Sequence, residues 1–165
     1  MDIELASAML IVGSLKGELL SQVANDELAS GKYSDSLAEL ANKGSTTLRD
    51  HQQLFERCLE DLGFVILDPH EAKMYIARYY SKSIVDGSLS PIDGVKTIVS
   101  NLVQHNSDEL PPEIGELYSA EVEYTDFTAQ VRLDYYGEEY CAKVRRDMEQ
   151  KIVKLATKLI AHKNG

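Results

Sequence analysis

His51 and Cys58 stand seven residues apart, two turns of a helix, and so would share one face of it. Two ligands fall short of the four that a structural zinc site uses. His70, His105 and His162 are scattered, and Cys141 has no second Cys or His at ligand spacing. Both cysteines are flanked by apolar positions, which reads as two buried thiols acting as small hydrophobes rather than as a disulfide framework. Asp86, Ser88 and Ser90 alternate as the first ligands of a calcium loop do, but the glycine and the terminal bidentate glutamate are not where such a loop needs them. Glu113 with Glu116, and Glu123 with Asp126, are three apart, as on the helices of di-metal carboxylate bundles. Those bundles also need inward-facing Glu-x-x-His motifs, and the sequence has none. There is no phosphate-cradling glycine loop and no nucleophile elbow. No metal, other cofactor or catalytic residue is therefore assigned.

The carboxylates are more telling as a pattern than as ligands. Formal net charge is −10, yet it is unevenly spread. From Asp108 to Glu139 there are ten acids against one base, Arg132; from Tyr140 onward seven bases face Asp147 and Glu149. Acids near a helix start and bases near its end complement the backbone dipole, which accounts for part of this. Five tyrosines (118, 124, 135, 136 and 140) lie in or beside the acidic stretch. Tyrosine gives large contact area with a polar tip, and acids steer a basic partner toward contact. Glu116, Glu123, Tyr124, Asp126, Tyr135, Tyr136, Glu138 and Glu139 are the expected binding surface. A solvated face whose rings cover the core is the bland counterpart.

These side chains have to be positioned by helices. Leu5, Met9, Val12, Leu15, Leu19 and Val23 recur at three or four residues and predict one long helix over about 2–29, bent near Gly17. A short helix is predicted over 35–42 with Ser34 as cap. Another starts at Thr46 or Thr47 and buries Leu48, His51, Phe55, Cys58 and Leu62, ending at Gly63. Phe64–Leu67 reads as an extended connector packed on the core, with a short edge strand as the alternative. Asp68-Pro69-His70-Glu71 has the grammar of a helix start: an acid cap, a proline whose missing donor costs nothing, and an acid three after the cap. That helix runs to about Asp86, with Ala72, Ile76, Tyr79 and Ser83 facing inward. Gly87 ends it, and Ser90-Pro91-Ile92-Asp93 opens the next. A polar loop follows over 104–109. The helix beginning near Pro111 loses its stripe and is expected to break around 125–128. From about Asp134 to His162, Cys141, Val144, Met148, Ile152, Leu155 and Leu159 make the most regular stripe of the chain.

The reading is a single all-α domain over residues 1–165, an irregular bundle of six to seven helices with a long C-terminal helix. Almost thirty residues of apolar face on that last helix exceed a typical globular helix, so the spare stripe is expected to close a two-fold homodimer. The acidic balance repels phosphates and argues against nucleic acid. The longest apolar run, Ala8–Val12, is far short of a membrane span. The acidic opening, Met1-Asp2-Ile3-Glu4, is unlike a signal peptide, which places the protein in the cytoplasm. The function expected is a non-enzymatic binding or regulatory protein that engages a basic protein partner. Competing readings are a small metal-dependent or acid–base enzyme assembled from distant segments, and a homo-oligomeric structural protein.

Overall fold

The computed structural model describes residues 1–43, 48–102, 110–130 and 133–161, and among them the chain is all-α, an irregular helical bundle with no strand. In order the helices are α1 (Ile3–Ile11), α2 (Glu18–Ala29), α3 (Asp35–Asn42), α4 (Leu48–Asp61), α5 (Pro69–Val85), α6 (Pro91–Leu102), α7 (Pro112–Gln130), α8 (Leu133–Tyr136) and α9 (Glu138–Ala161). The chain divides into two compact units, Met1–Tyr75 and Ile76–Gly165. The start expected at Thr46 or Thr47 and the polar loop over 104–109 lie outside the described residues.

In the first unit, the single long helix expected over 2–29 is two helices. Gly13 sits at φ +76°, and the N–H groups of Ser14 and Leu15 both turn back to the Met9 carbonyl, at 2.9 and 3.2 Å. That closes α1 at Ile11, and six residues separate it from α2. Val12 and Leu15, read as stripe residues, are buried all the same, because the turn folds them onto the core. Asp2 caps α1 by accepting from the Leu5 N–H at 2.8 Å, and Ser34 caps α3 through Leu37 N–H at 3.1 Å. α3 packs between α2 and α4. The core holds Ile3, Leu20, Leu37, Leu40, Leu54 and Phe55. His51, Phe55 and Cys58 are buried as their spacing predicts, whereas Leu62 is only half-buried.

Glu27 is an unusual member of this core. Its carboxylate is almost enclosed, accepts from the Ile3 N–H at 3.1 Å through Oε1, and pairs with Lys32 at 2.6 Å through Oε2. The first N–H groups of a helix have no partner within it, so a carboxylate from the end of α2 completes the start of α1.

The helix α4 ends as Gly63 demands. Gly63 lies at φ +74°, its N–H reaches the Glu60 carbonyl at 3.0 Å, and the Phe64 N–H reaches Leu59 at 2.8 Å, the double closure of a left-handed glycine cap. The Phe64–Leu67 connector is not a strand. The expectation that it packs on the core is corrected in half: Phe64 and Leu67 turn inward, while Val65 is 82% exposed and Ile66 51%.

The second unit takes up α5 from Ile76. The start of that helix, in the first unit, is capped as read, with Glu71 N–H donating to Asp68 Oδ1 at 2.9 Å. Tyr79 and Ser83 are only half-buried, and Ser81 and Ile84 lie inside instead. Gly87 stands at φ +79° and Leu89 N–H closes onto Ser83 at 2.9 Å. In the same corner Ser88 donates its N–H to Asp86 Oδ1 at 2.9 Å, and its hydroxyl bonds the same oxygen. Those bonds favour the charged form and pull the Asp86 carboxyl below its ordinary range. The helix α6 then approaches α5 so closely that a Cβ on Gly94 would lie 2.3 Å from Cγ1 of the buried Ile84. The break expected at 125–128 is absent: α7 runs unbroken to Gln130. The last long helix begins at Glu138 rather than Asp134, because Gly137 at φ +80° separates it from the four-residue α8. It is 24 residues long.

Candidate interaction surface

Helix α9 packs on α7, and α8 folds back against α9. The contacts between α7 and α9 run in opposite numerical directions. Lys158 pairs with Glu116 at 3.4 Å and Lys151 with Glu123 at 2.7 Å. Seven residues separate the two glutamates and seven the two lysines, so the pairs sit two turns apart on antiparallel helices. Beside them the Tyr124 hydroxyl donates to Glu149 Oε1 at 3.4 Å. Beneath this seam Ile114, Leu117 and Ala120 of α7 and Ile152, Ala156 and Leu159 of α9 are buried. Glu121 is buried as well, and the Thr125 hydroxyl donates to it at 2.7 Å.

The eight residues singled out from the sequence therefore separate into two groups. Glu116, Glu123 and Tyr124 line the α7–α9 seam and are engaged by α9. Asp126 is exposed further along α7. Tyr135, Tyr136, Glu138 and Glu139 come together around Gly137, where the chain turns from α8 into α9. Tyr135 and Tyr136 meet edge to face with ring centres 4.9 Å apart, and Tyr136 stacks on Tyr140 at 5.8 Å with an interplanar angle of 22°. These three rings are 78%, 53% and 53% exposed. Together with Glu138, Glu139, Lys143 and Arg146, Tyr136 and Tyr140 line a shallow depression of about 520 Å³. The acids occupy the first turn of α9, where the helix dipole favours them, and the bases come one and two turns later.

Sequence reasoning left Tyr140 off the surface, although its four-residue offset from Tyr136 carries the information. It also missed a second concavity, in the first unit. Glu4, Ser7, Leu59, Phe64, Leu67 and Tyr75 are among the residues lining a cavity of about 330 Å³, with the Tyr75 hydroxyl donating to Glu4 Oε2 at 2.7 Å. Only the offset of three between Glu4 and Ser7 was visible beforehand.

Cys58 and Cys141 are free, buried thiols. Burial pushes the Cys58 thiol up, and nearby Asp61 adds to the effect while Ser36 opposes it. A thiol held in its protonated form is a poor nucleophile. Among the described residues no group of three or more His, Cys, Asp or Glu could hold a metal ion, and no helix is long and apolar enough to cross a membrane. The chain matches no protein-family model, no curated protein and no solved structure.

Proposed function

We propose that this is a non-enzymatic binding or regulatory protein that docks a basic protein partner on the tyrosine cluster at the α8–α9 junction. The observation that supports it is the exposed stack of Tyr135, Tyr136 and Tyr140 beside Glu138 and Glu139. An aromatic ring left in water forgoes the burial energy that a core would give it, about 25 cal/mol per Å² of apolar area. Three adjacent rings in that state are a ready-made contact patch whose members already order one another. Tyrosine is favoured at hot spots for the same reason: large area, little conformational freedom to lose, and a polar tip.

The acids give this patch a direction. Glu116 and Glu123 have lysines of α9 across from them, so their long-range field is largely cancelled. Glu138, Glu139 and Asp126 make no ion pair among the described residues, and they are the carboxylates left to steer a basic partner. The test is crosslinking capture from native lysate with wild type, Tyr136→Ala and the pair Glu138→Gln/Glu139→Gln. A partner captured by wild type should be lost with Tyr136→Ala through faster dissociation. With the acid pair removed its association should slow and become less sensitive to salt. A partner retained equally by all three proteins would place the interaction elsewhere.

A further inference from the structure

We infer that the first unit carries a separate small-molecule site, formed by Glu4, Ser7, Phe64 and Tyr75, that takes a primary amine with a compact apolar body. The inference stands on the cavity of the first unit and not on the tyrosine cluster. Its volume, about 330 Å³, is at the lower end of the roughly 300–1,000 Å³ of ligand pockets.

One wall is polar and comes from a single helix. Glu4 and Ser7 are three apart on α1 and so share a face. Tyr75 donates its hydroxyl to Glu4 Oε2 at 2.7 Å, which fixes the carboxylate and leaves Oε1 to accept from something else. Glu4 has no ion pair among the described residues; the nearby Lys32 is committed to Glu27 at 2.6 Å and lies over the Phe64 ring at 5.2 Å. Ser7 gives the second, independent sign. It is buried, it lines the cavity, and its Oγ has no hydrogen-bond partner among the described residues. A buried hydroxyl left unpaired costs about 1–3 kcal/mol, so such groups stand out in a folded protein.

The remaining walls are apolar: Leu59, Phe64, Val65, Leu67 and the ring of Tyr75. Phe64 and Val65 belong to the connector between α4 and α5, held at one end by the Gly63 cap and at the other by the Asp68 cap. An ammonium group matches the polar wall, because it carries a positive charge for Glu4 and N–H donors for the carboxylate oxygen that Tyr75 leaves free. A carboxylate or phosphate ligand would face Glu4 and be repelled. A quaternary ammonium would have no proton for that oxygen.

The probe is 2-phenylethylamine, titrated into the full-length, isotopically labelled chain and followed by amide chemical shifts. Its neutral counterpart, 2-phenylethanol, has the same body and no charge. The amine should bind saturably, at least tenfold tighter than the alcohol, with the shifts centred on Ser7, Gly63 and Phe64. Glu4→Gln should remove that tenfold preference. Glu4 is exposed, so its variant keeps the fold; an unchanged circular dichroism spectrum checks this, and Tyr75→Phe, which frees the carboxylate without removing it, should weaken the amine less than Glu4→Gln. Equal affinity for amine and alcohol, an unchanged amine affinity in Glu4→Gln, or shifts without saturation would each overturn the assignment. None of these results touches the tyrosine cluster, so the two proposals fail separately.

Discussion

In the first unit a lysine at the surface reaches a carboxylate enclosed in the fold; in the second, two glutamate–lysine pairs are exposed at both partners. Glu27 is almost enclosed and holds both the Lys32 ammonium and the Ile3 N–H. Glu116 and Glu123 are half-exposed, and so are the lysines they meet. The groups are alike, but water decides what they contribute. Around Glu27 little solvent remains to replace a lost partner, so removal of one leaves the others unsatisfied. On the α7–α9 seam water and salt compete for every charge, and the long side chains lose freedom when they pair. The buried carboxylate should therefore be a structural element, and the exposed pairs chiefly a matter of field.

The sharpest way to break this contrast is Glu27→Ala. It should lower stability by about 2 kcal/mol, since the Ile3 N–H loses its acceptor inside the fold. Urea unfolding measures the loss, and amide exchange at Ile3 should quicken by more than tenfold. Glu27→Gln, which keeps an acceptor, should sit between the two. An unchanged midpoint for Glu27→Ala would mean that the carboxylate is not a strut.

Elsewhere in the second unit, geometry is held by backbone rather than by charge. Gly87→Val forces a branched side chain into the left-handed region and should cost about 1–2 kcal/mol. Ser88→Ala removes only a hydroxyl from an exposed turn and should move the urea midpoint much less. Similar midpoints for the two variants would show that the corner does not depend on the glycine.

The smallest effect is expected where the ion pairs are most visible. Glu116→Gln and Glu123→Gln should each change stability by no more than about 0.5 kcal/mol, and the change should vanish at high salt. If either variant loses as much as Glu27→Ala, the seam is a strut too and the contrast fails.

Much of the scaffold was legible because its signals are local. The caps at Ser34 and Asp68, and the glycine stops at Gly63 and Gly87, each involve residues within a few positions of one another, so cap chemistry can be read directly from the order of residues. The stripes of α4, α6 and α9 were legible for a similar reason, since a helix repeats every 3.6 residues whatever it packs against. The division of the first helix was not. Gly13 and Gly17 were visible, but a glycine inside an apolar stripe is compatible with a bend or a stop, and closure of Ser14 and Leu15 onto Met9 decides for a stop.

The candidate surfaces show the same boundary. Sequence alone determined the all-α class, the crowding of acids ahead of Glu139, and the tyrosines among them. It could not tell which acids keep their charge exposed, because Glu116 and Lys158 are 42 residues apart and meet only through the register of two antiparallel helices. Nor could it join Tyr75 to Glu4 across 71 residues, or Ile3 to Glu27 across 24. Local order fixes which backbone groups seek a partner and which faces seek cover. Packing brings distant side chains within the roughly 3 Å that a hydrogen bond requires, and so decides which carboxylate becomes a strut, which is neutralised, and which is left facing a cavity.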